Sequence, residues 1–305
     1  MVDRLTGRGP RLLAVALAAV GLAFASTAGA AGQPQWIVFT GSPHGGFGAE
    51  QIFRISVSGT GLKQLTSGKA PSSAPAFSPD GTSIVFARLG GGIYRMRVDG
   101  TGLRRLTTNG RDGYPTWSPD GRQIAFIRPV GAGWKVFVMS ASGGGARRLP
   151  QAPASGRPSW TPRGLVIVTT DGDLARIDPS SGRVLHRYGA LIDASIGLTA
   201  AAVSPDVSTA TFVGPRAPDP GDKDCGDNLP CQHYALYIEN LAKHKSPQLL
   251  VKNAGPASFS RDGKSLAYVA QNKIVLRVAA SGKTTAIATG KVDPTTSTPP
   301  AWQPR

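Results

Sequence analysis

The sequence predicts an all-β fold, a six-bladed β-propeller of four-stranded blades, and three observations predict it. Gly (39) and Pro (25) are spread along 305 residues between short Val/Ile/Phe/Tyr runs, the punctuation of many strands and turns. One turn peptide recurs at a nearly constant spacing. The two chain ends each hold part of one further blade. With 40% hydrophobic and 17% charged residues the chain can bury a large core, which excludes a disordered polymer.

The recurring peptide is "AFSPDG" (76–81), "TWSPDG" (116–121), "SWTPRG" (159–164), "AVSPDV" (202–207), "SFSRDG" (258–263) and a final "AWQPR" (301–305). Successive positions Pro79, Pro119, Pro162, Pro205, Arg261 and Pro304 lie 40, 43, 43, 56 and 43 residues apart, the length of one four-stranded blade. Each unit reads strand a, tight turn, strand b, variable link, strand c, Gly turn, strand d. Pro presets the first central turn residue, Asp bonds its own backbone and Gly takes the position closed to side chains. Asp80, Asp99, Asp120, Asp206 and Asp262 are therefore turn residues. The last copy stops after its a strand, whereas "WIVFT" (36–40) opens the chain as a b strand without an a strand before it. The ends are expected to share one blade and close the ring.

These motifs resemble the WD40-like repeats of TolB-type six-bladed propellers from Trp36 to Arg305. Arg163 in place of Asp, Val207 in place of Gly and Arg261 in place of Pro depart from the pattern. TolB carries an α/β domain before its propeller, and none is expected here. The resemblance implies a propeller that receives a partner at the mouth of its channel.

Arg4, Arg8 and Arg11 precede an apolar run, Leu12 to Ala25, and a small-residue stretch ending Ala28-Gly29-Ala30. Residues 1–30 are expected to be a secretory signal peptide, leaving 31–305 as a single propeller domain. The run is short for a membrane span, and no later segment could cross a bilayer. Location is expected to be periplasmic, cell-wall associated or extracellular, and the chain monomeric. Net charge is +16. A basic exported surface suits anionic wall polymers or lipid head groups, and equally fits an Arg-rich composition scattered over a solvated surface. Nucleic acid is not an expected partner. Export permits Cys225 and Cys231 to pair and staple one surface loop, an insertion at 214–234.

The repeated turns share one face, and the variable b-to-c links and d-to-a crossings share the other. Binding is expected on the variable face, where long loops overhang the channel. The partner-binding candidates are His44, Arg88, Arg111, Asp112, Tyr114, Arg128 and Trp134, with Tyr114 and Trp134 placed in links. Charge reversal at Arg128 is expected to weaken binding without affecting stability. Asp222, Asp224 and Asp227 crowd the Cys loop and could hold calcium, the only cofactor in view, although their spacing does not match an EF-hand. The aromatics before each turn, Phe77, Trp117, Trp160, Phe259 and Trp302, are read as packing between blades. Basic d strands (Lys63, Arg104, Arg105, Arg147, Arg148) are read as edge protection.

No pair of His at metal-ligand spacing and no G-x-S-x-G turn is present. The expected function is an exported, non-catalytic binding module or scaffold for an envelope protein or an anionic cell-wall polymer. The alternative is a metal-dependent propeller hydrolase or lyase of lactonase or sugar-lyase type.

Overall fold

The computed structural model describes residues 35–43, 48–150, 152, 156–190, 201–215, 234–243, 247–295 and 297–304. The chain divides into two units, Met1–Gln33 and Pro34–Arg305, and all described residues belong to the second. Among them every regular element is a strand, and no helix is long and apolar enough to cross a membrane.

Each blade is an antiparallel a-b-c-d sheet. The first contains β1 (Trp36–Ser42), β2 (Gln51–Ser56) and β3 (Lys63–Gln64). The second contains β4 (Ser72–Phe77), β5 (Ser83–Arg88), β6 (Gly92–Arg97) and β7 (Arg104–Arg105). The third contains β8 (Gly113–Trp117), β9 (Gln123–Val130), β10 (Gly133–Ser140) and β11 (Arg147–Arg148). The fourth contains β12 (Ser159–Thr161), β13 (Gly164–Val168), β14 (Asp173–Ile177) and β15 (Val184–Ala190). The fifth contains β16 (Ala202–Val203), β17 (Thr209–Pro215), β18 (Tyr234–Asn240) and β19 (Gln248–Lys252). The sixth contains β20 (Ser258–Phe259), β21 (Ser265–Ala270), β22 (Lys273–Val278) and β23 (Thr284–Ile287).

The final strands β24 (Asp293–Pro294) and β25 (Ala301–Trp302) return to β1 and supply the a position of the first blade. Ile37 lies opposite Trp302 and Gly41 opposite Pro294. Gln303 locks this seam: its N–H donates to Trp36 O at 2.9 Å. Its side chain accepts from Trp36 N at 3.1 Å and donates to Gly81 O of the second blade at 3.0 Å. The ring is closed by the two ends of the propeller, as the repeat phase requires.

Alternation along the b strands decides where the core lies, because successive side chains leave on opposite faces. Ile37 and Phe39 pack with Ile274 and Ile287 of the sixth blade, whereas Val38 packs with Ile84 and Phe86 of the second. Each interface between neighbouring blades has its own buried cluster, for example Val85 and Ile93 against Trp117, Phe126 and Met139. Trp117 also donates from its indole N–H to Ala76 O of the second blade at 3.2 Å, and Trp302 to Ser258 O of the sixth at 3.3 Å. The pre-turn aromatics are thus inter-blade packing groups. The basic d strands tie blades together as well: Lys63 donates to Asp99 O at 2.9 Å, and Arg147 to Pro179 O at 3.0 Å.

The repeated turn is satisfied within itself. Ser78 donates to Asp80 at 2.5 Å and accepts from Ser83 N at 2.9 Å, and Asp80 accepts from Thr82 N at 3.0 Å. Gly81 holds φ +70°. Val207, in the equivalent position, keeps φ +57° despite its branched side chain, which is buried with Val203 and Leu241. The serine hydroxyl, followed by the backbone N–H groups, holds Asp80, Asp206 and Asp262 below the usual carboxylate range. A carboxylate with a lowered folded pKa stabilises above its unfolded pKa of about 3.9 and loses that contribution as pH falls through the folded value. The thermal midpoint is therefore expected to fall on acidification below about pH 4. A triple Asp80→Asn/Asp206→Asn/Asp262→Asn variant should lose less over the same interval than the parent, measured by scanning calorimetry.

Candidate functional site

All described a-to-b and c-to-d turns lie at one end of the blades, and b-to-c links and d-to-a crossings at the other. The candidates divide accordingly. His44, Cys225, Cys231, Asp222, Asp224 and Asp227 lie outside the described residues. Among the described residues no group of three or more His, Cys, Asp or Glu is close enough to hold a metal ion.

Arg88 and Arg128 are equivalent. Ile84 faces Phe77 and Ile124 faces Trp117, and each arginine stands four residues further along its b strand. The other blades carry Gly41, Thr169, Gly214 and Ala270 there. Arg128 closes a bidentate pair on Asp112, with Nε to Oδ1 at 2.6 Å and Nη2 to Oδ2 at 2.8 Å. The Asp112 side chain is fully buried and that of Arg128 is 21% exposed. The guanidinium also lies 4.5 Å from the Phe137 ring centroid. The carboxylate raises the Arg128 pKa further. In the second blade Ser72 takes the place of Asp112, and Arg88 reaches its Oγ at 3.3 Å while stacking 4.9 Å from Tyr94.

These contacts correct one expectation. Reversing the charge at Arg128 would leave Asp112 buried beside a second carboxylate, so this pair is part of the framework and its loss costs stability. Tyr114 and Trp134, expected in links, are strand residues of β8 and β10. The chain Gly131-Ala132 makes a two-residue hairpin turn, with Val130 opposite Gly133. Trp134 is 40% exposed, and Arg111 is exposed beside the pair.

Tyr114 turns inward. The a strand of the third blade bulges between Gly113 and Thr116, and Tyr114 has φ +50°, as Ala74 has +52° in the second. Its ring lines the variable-face end of the central channel, a cavity of about 150 Å³ walled mainly by Ala and Pro. The same cavity contains Arg157, whose guanidinium lies 5.3 Å from the Tyr114 ring centroid. Sequence reasoning missed Arg157. The signal was present: "RPSW" (157–160) aligns with "YPTW" (114–117), placing Arg157 at the position of Tyr114 one blade on. Burial lowers the Arg157 pKa to about 10. The opposite end of the channel, about 270 Å³, is ringed by Pro79, Pro119, Pro162, Pro205 and Pro304. Arg261 replaces the sixth proline and donates to Pro79 O at 2.9 Å.

The fold and this channel define a six-bladed propeller of the WD40-like class. Residues 25–178, about half of the chain, match the family described as TolB beta propeller domain, and the chain belongs to that family. Among solved structures it is similar to TolB from Acinetobacter baumannii, at 18% identity and TM-score 0.65, covering 89% of this chain and 67% of that one. Putative TolB from Agrobacterium tumefaciens matches at 14% and 0.59, covering 88% and 95%. A chain of a nidogen/laminin complex matches at 13% and 0.60, covering 88% and 98%. At these identities the likeness is one of fold. No curated protein matches the chain by sequence.

Breaking a buried ion pair by removing one partner costs about 3–5 kcal/mol, and the partial exposure of Arg128 places this case at the lower end. Arg128→Glu is expected to lower unfolding stability by about 3 kcal/mol in urea titrations at pH 7. Arg111→Glu, on the exposed neighbour, should change it by less than about 0.5 kcal/mol.

Proposed function

We propose that the chain is an exported, non-catalytic binding module that takes an envelope protein or an anionic cell-wall polymer on its variable face. The difference between the two ends of the blades carries this reading. The turn face is built from repeated hairpins whose polar groups satisfy one another. The variable face carries the exposed Trp134, the exposed Arg111 and the Tyr114 mouth of the channel. Rigid scaffolds with variable loops on one side are where binding residues accumulate. Family membership supports the reading, and one solved chain of the same fold comes from a nidogen/laminin assembly.

Export rests on the basic, apolar and small-residue order of residues 1–30. The mature protein recovered from the envelope or medium should begin at Ala31 by intact-mass analysis; a chain retaining Met1 inside the cell would contradict this. For the binding face, a photo-crosslinking amino acid at Trp134 in the full chain should capture an envelope component. The same group at Asp120, on the turn face, should capture at least about tenfold less, a difference of 1.4 kcal/mol in occupancy at limiting partner. Protease or glycosidase digestion of the adduct then separates a protein partner from a polymer. Equal capture at the two positions would overturn the face assignment.

A further inference from the structure

Arg157 is the one arginine among the described residues with two buried guanidinium nitrogens, Nε and Nη2, that have no hydrogen-bond partner. Other arginines with an orphan Nε keep a different anchor: Arg54 donates to Val98 O at 3.0 Å, and Arg176 to Arg163 O at 3.1 Å. Among the described residues Arg157 has only the Tyr114 ring, 5.3 Å away. Buried polar groups are normally satisfied, and a buried unpaired cation is more costly than a buried neutral group.

The chain contains its own comparison. Arg128, one blade earlier and also on an aromatic ring, fills its Nε and Nη2 edge with the Asp112 carboxylate at 2.6 and 2.8 Å. At the far end of the channel Arg261 is satisfied by Pro79 O. Around Arg157 the cavity wall includes Tyr114, Ala74, Pro115 and Pro300, and among the described residues it offers no carboxylate. Apart from Arg157, the polar side chains of the described wall are neutral hydroxyls, such as those of Thr116 and Ser159.

We propose that Arg157 is the anion-recognising residue of a carboxylate subsite inside the variable-face mouth of the channel. A carboxylate entering the mouth meets a guanidinium that can turn to it without breaking a hydrogen bond to any described residue. Two parallel N–H donors suit a carboxylate, and the low-dielectric wall strengthens the pair. Tyr114 stacks on the guanidinium and limits its directions. The group fits either a free small acid or the acidic side chain of a peptide. The subsite deepens the binding-face reading given above and rests on it for how the ligand arrives.

The test is calorimetric titration of the full mature chain with propionate, with propionamide and with the capped tripeptide acetyl-Ala-Glu-Ala-amide. The wild type should bind at least one carboxylate saturably and propionamide on the order of tenfold more weakly or worse. Arg157→Met should weaken carboxylate binding by a similar factor and melt no lower than the wild type, because it removes an unpaired buried charge. Arg157→Lys, which keeps the charge and loses the fork, should bind more weakly than the wild type. Binding of the peptide alone identifies a side-chain source, and binding of propionate as tightly as the peptide identifies a free acid. Equal carboxylate binding by the wild type and Arg157→Met, or no saturable carboxylate binding by the wild type, would overturn the proposal. Because purified probes are used, that failure is distinct from a failure to capture an envelope partner.

Discussion

Closure of the ring at β1 is the constraint on which the rest depends. Blades bury both faces, so every blade needs two neighbours, and an open ring would leave apolar surfaces such as Ile37, Phe39 and Ile274 in water. Pairing of β1 with β24 and β25 supplies the missing a strand, and Gln303 ties the seam to the second blade. With the circle complete, six a strands face inward and define one channel whose two ends carry different chemistry.

That difference follows from what each end of a blade must do. The a-to-b turn has to reverse the chain within a few residues in every blade, so its Ser-Pro-Asp-Gly composition is repeated and its polar groups are consumed locally. Links at the other end carry no such requirement and are free to vary in length and chemistry. Charge has accumulated there in two states. The Arg128 and Asp112 pair is internally neutralised and holds β9 against the start of β8, whereas Arg157 has no counter-ion among the described residues. On a part-buried side chain whose Nε and Nη2 are enclosed, such a charge is a structural cost with no structural return in the described contacts, which is the signature expected of a group kept for a ligand.

The fold was legible because a forty-residue period with fixed turn chemistry is difficult to produce by any other architecture, and because "WIVFT" and "AWQPR" are complementary fragments of one blade. The ends of the third-blade strands were less legible. Trp134 is expected in a link, yet a two-residue turn at Gly131 (φ +61°) lets β9 and β10 run eight residues each and carries Trp134 into the sheet. The ion pair was hidden for a different reason. Asp112 and Arg128 are sixteen residues apart, and only the a-to-b register brings them together, as it does for Ser72 and Arg88. Arg157 follows the Pro- and Ala-containing crossing "LPQAPASG" (149–156), and only alignment with Tyr114 in the neighbouring blade places it in the channel.

The variable-face mouth of the channel takes its recognising charge from Arg157 in the reading proposed above. A crystal structure of the mature chain grown with propionate tests it most directly. Carboxylate density is expected on the Arg157 guanidinium beside Tyr114, within ordinary hydrogen-bond distance. An Arg157 side chain already paired with a protein carboxylate or carbonyl, with no anion in that mouth, would contradict it.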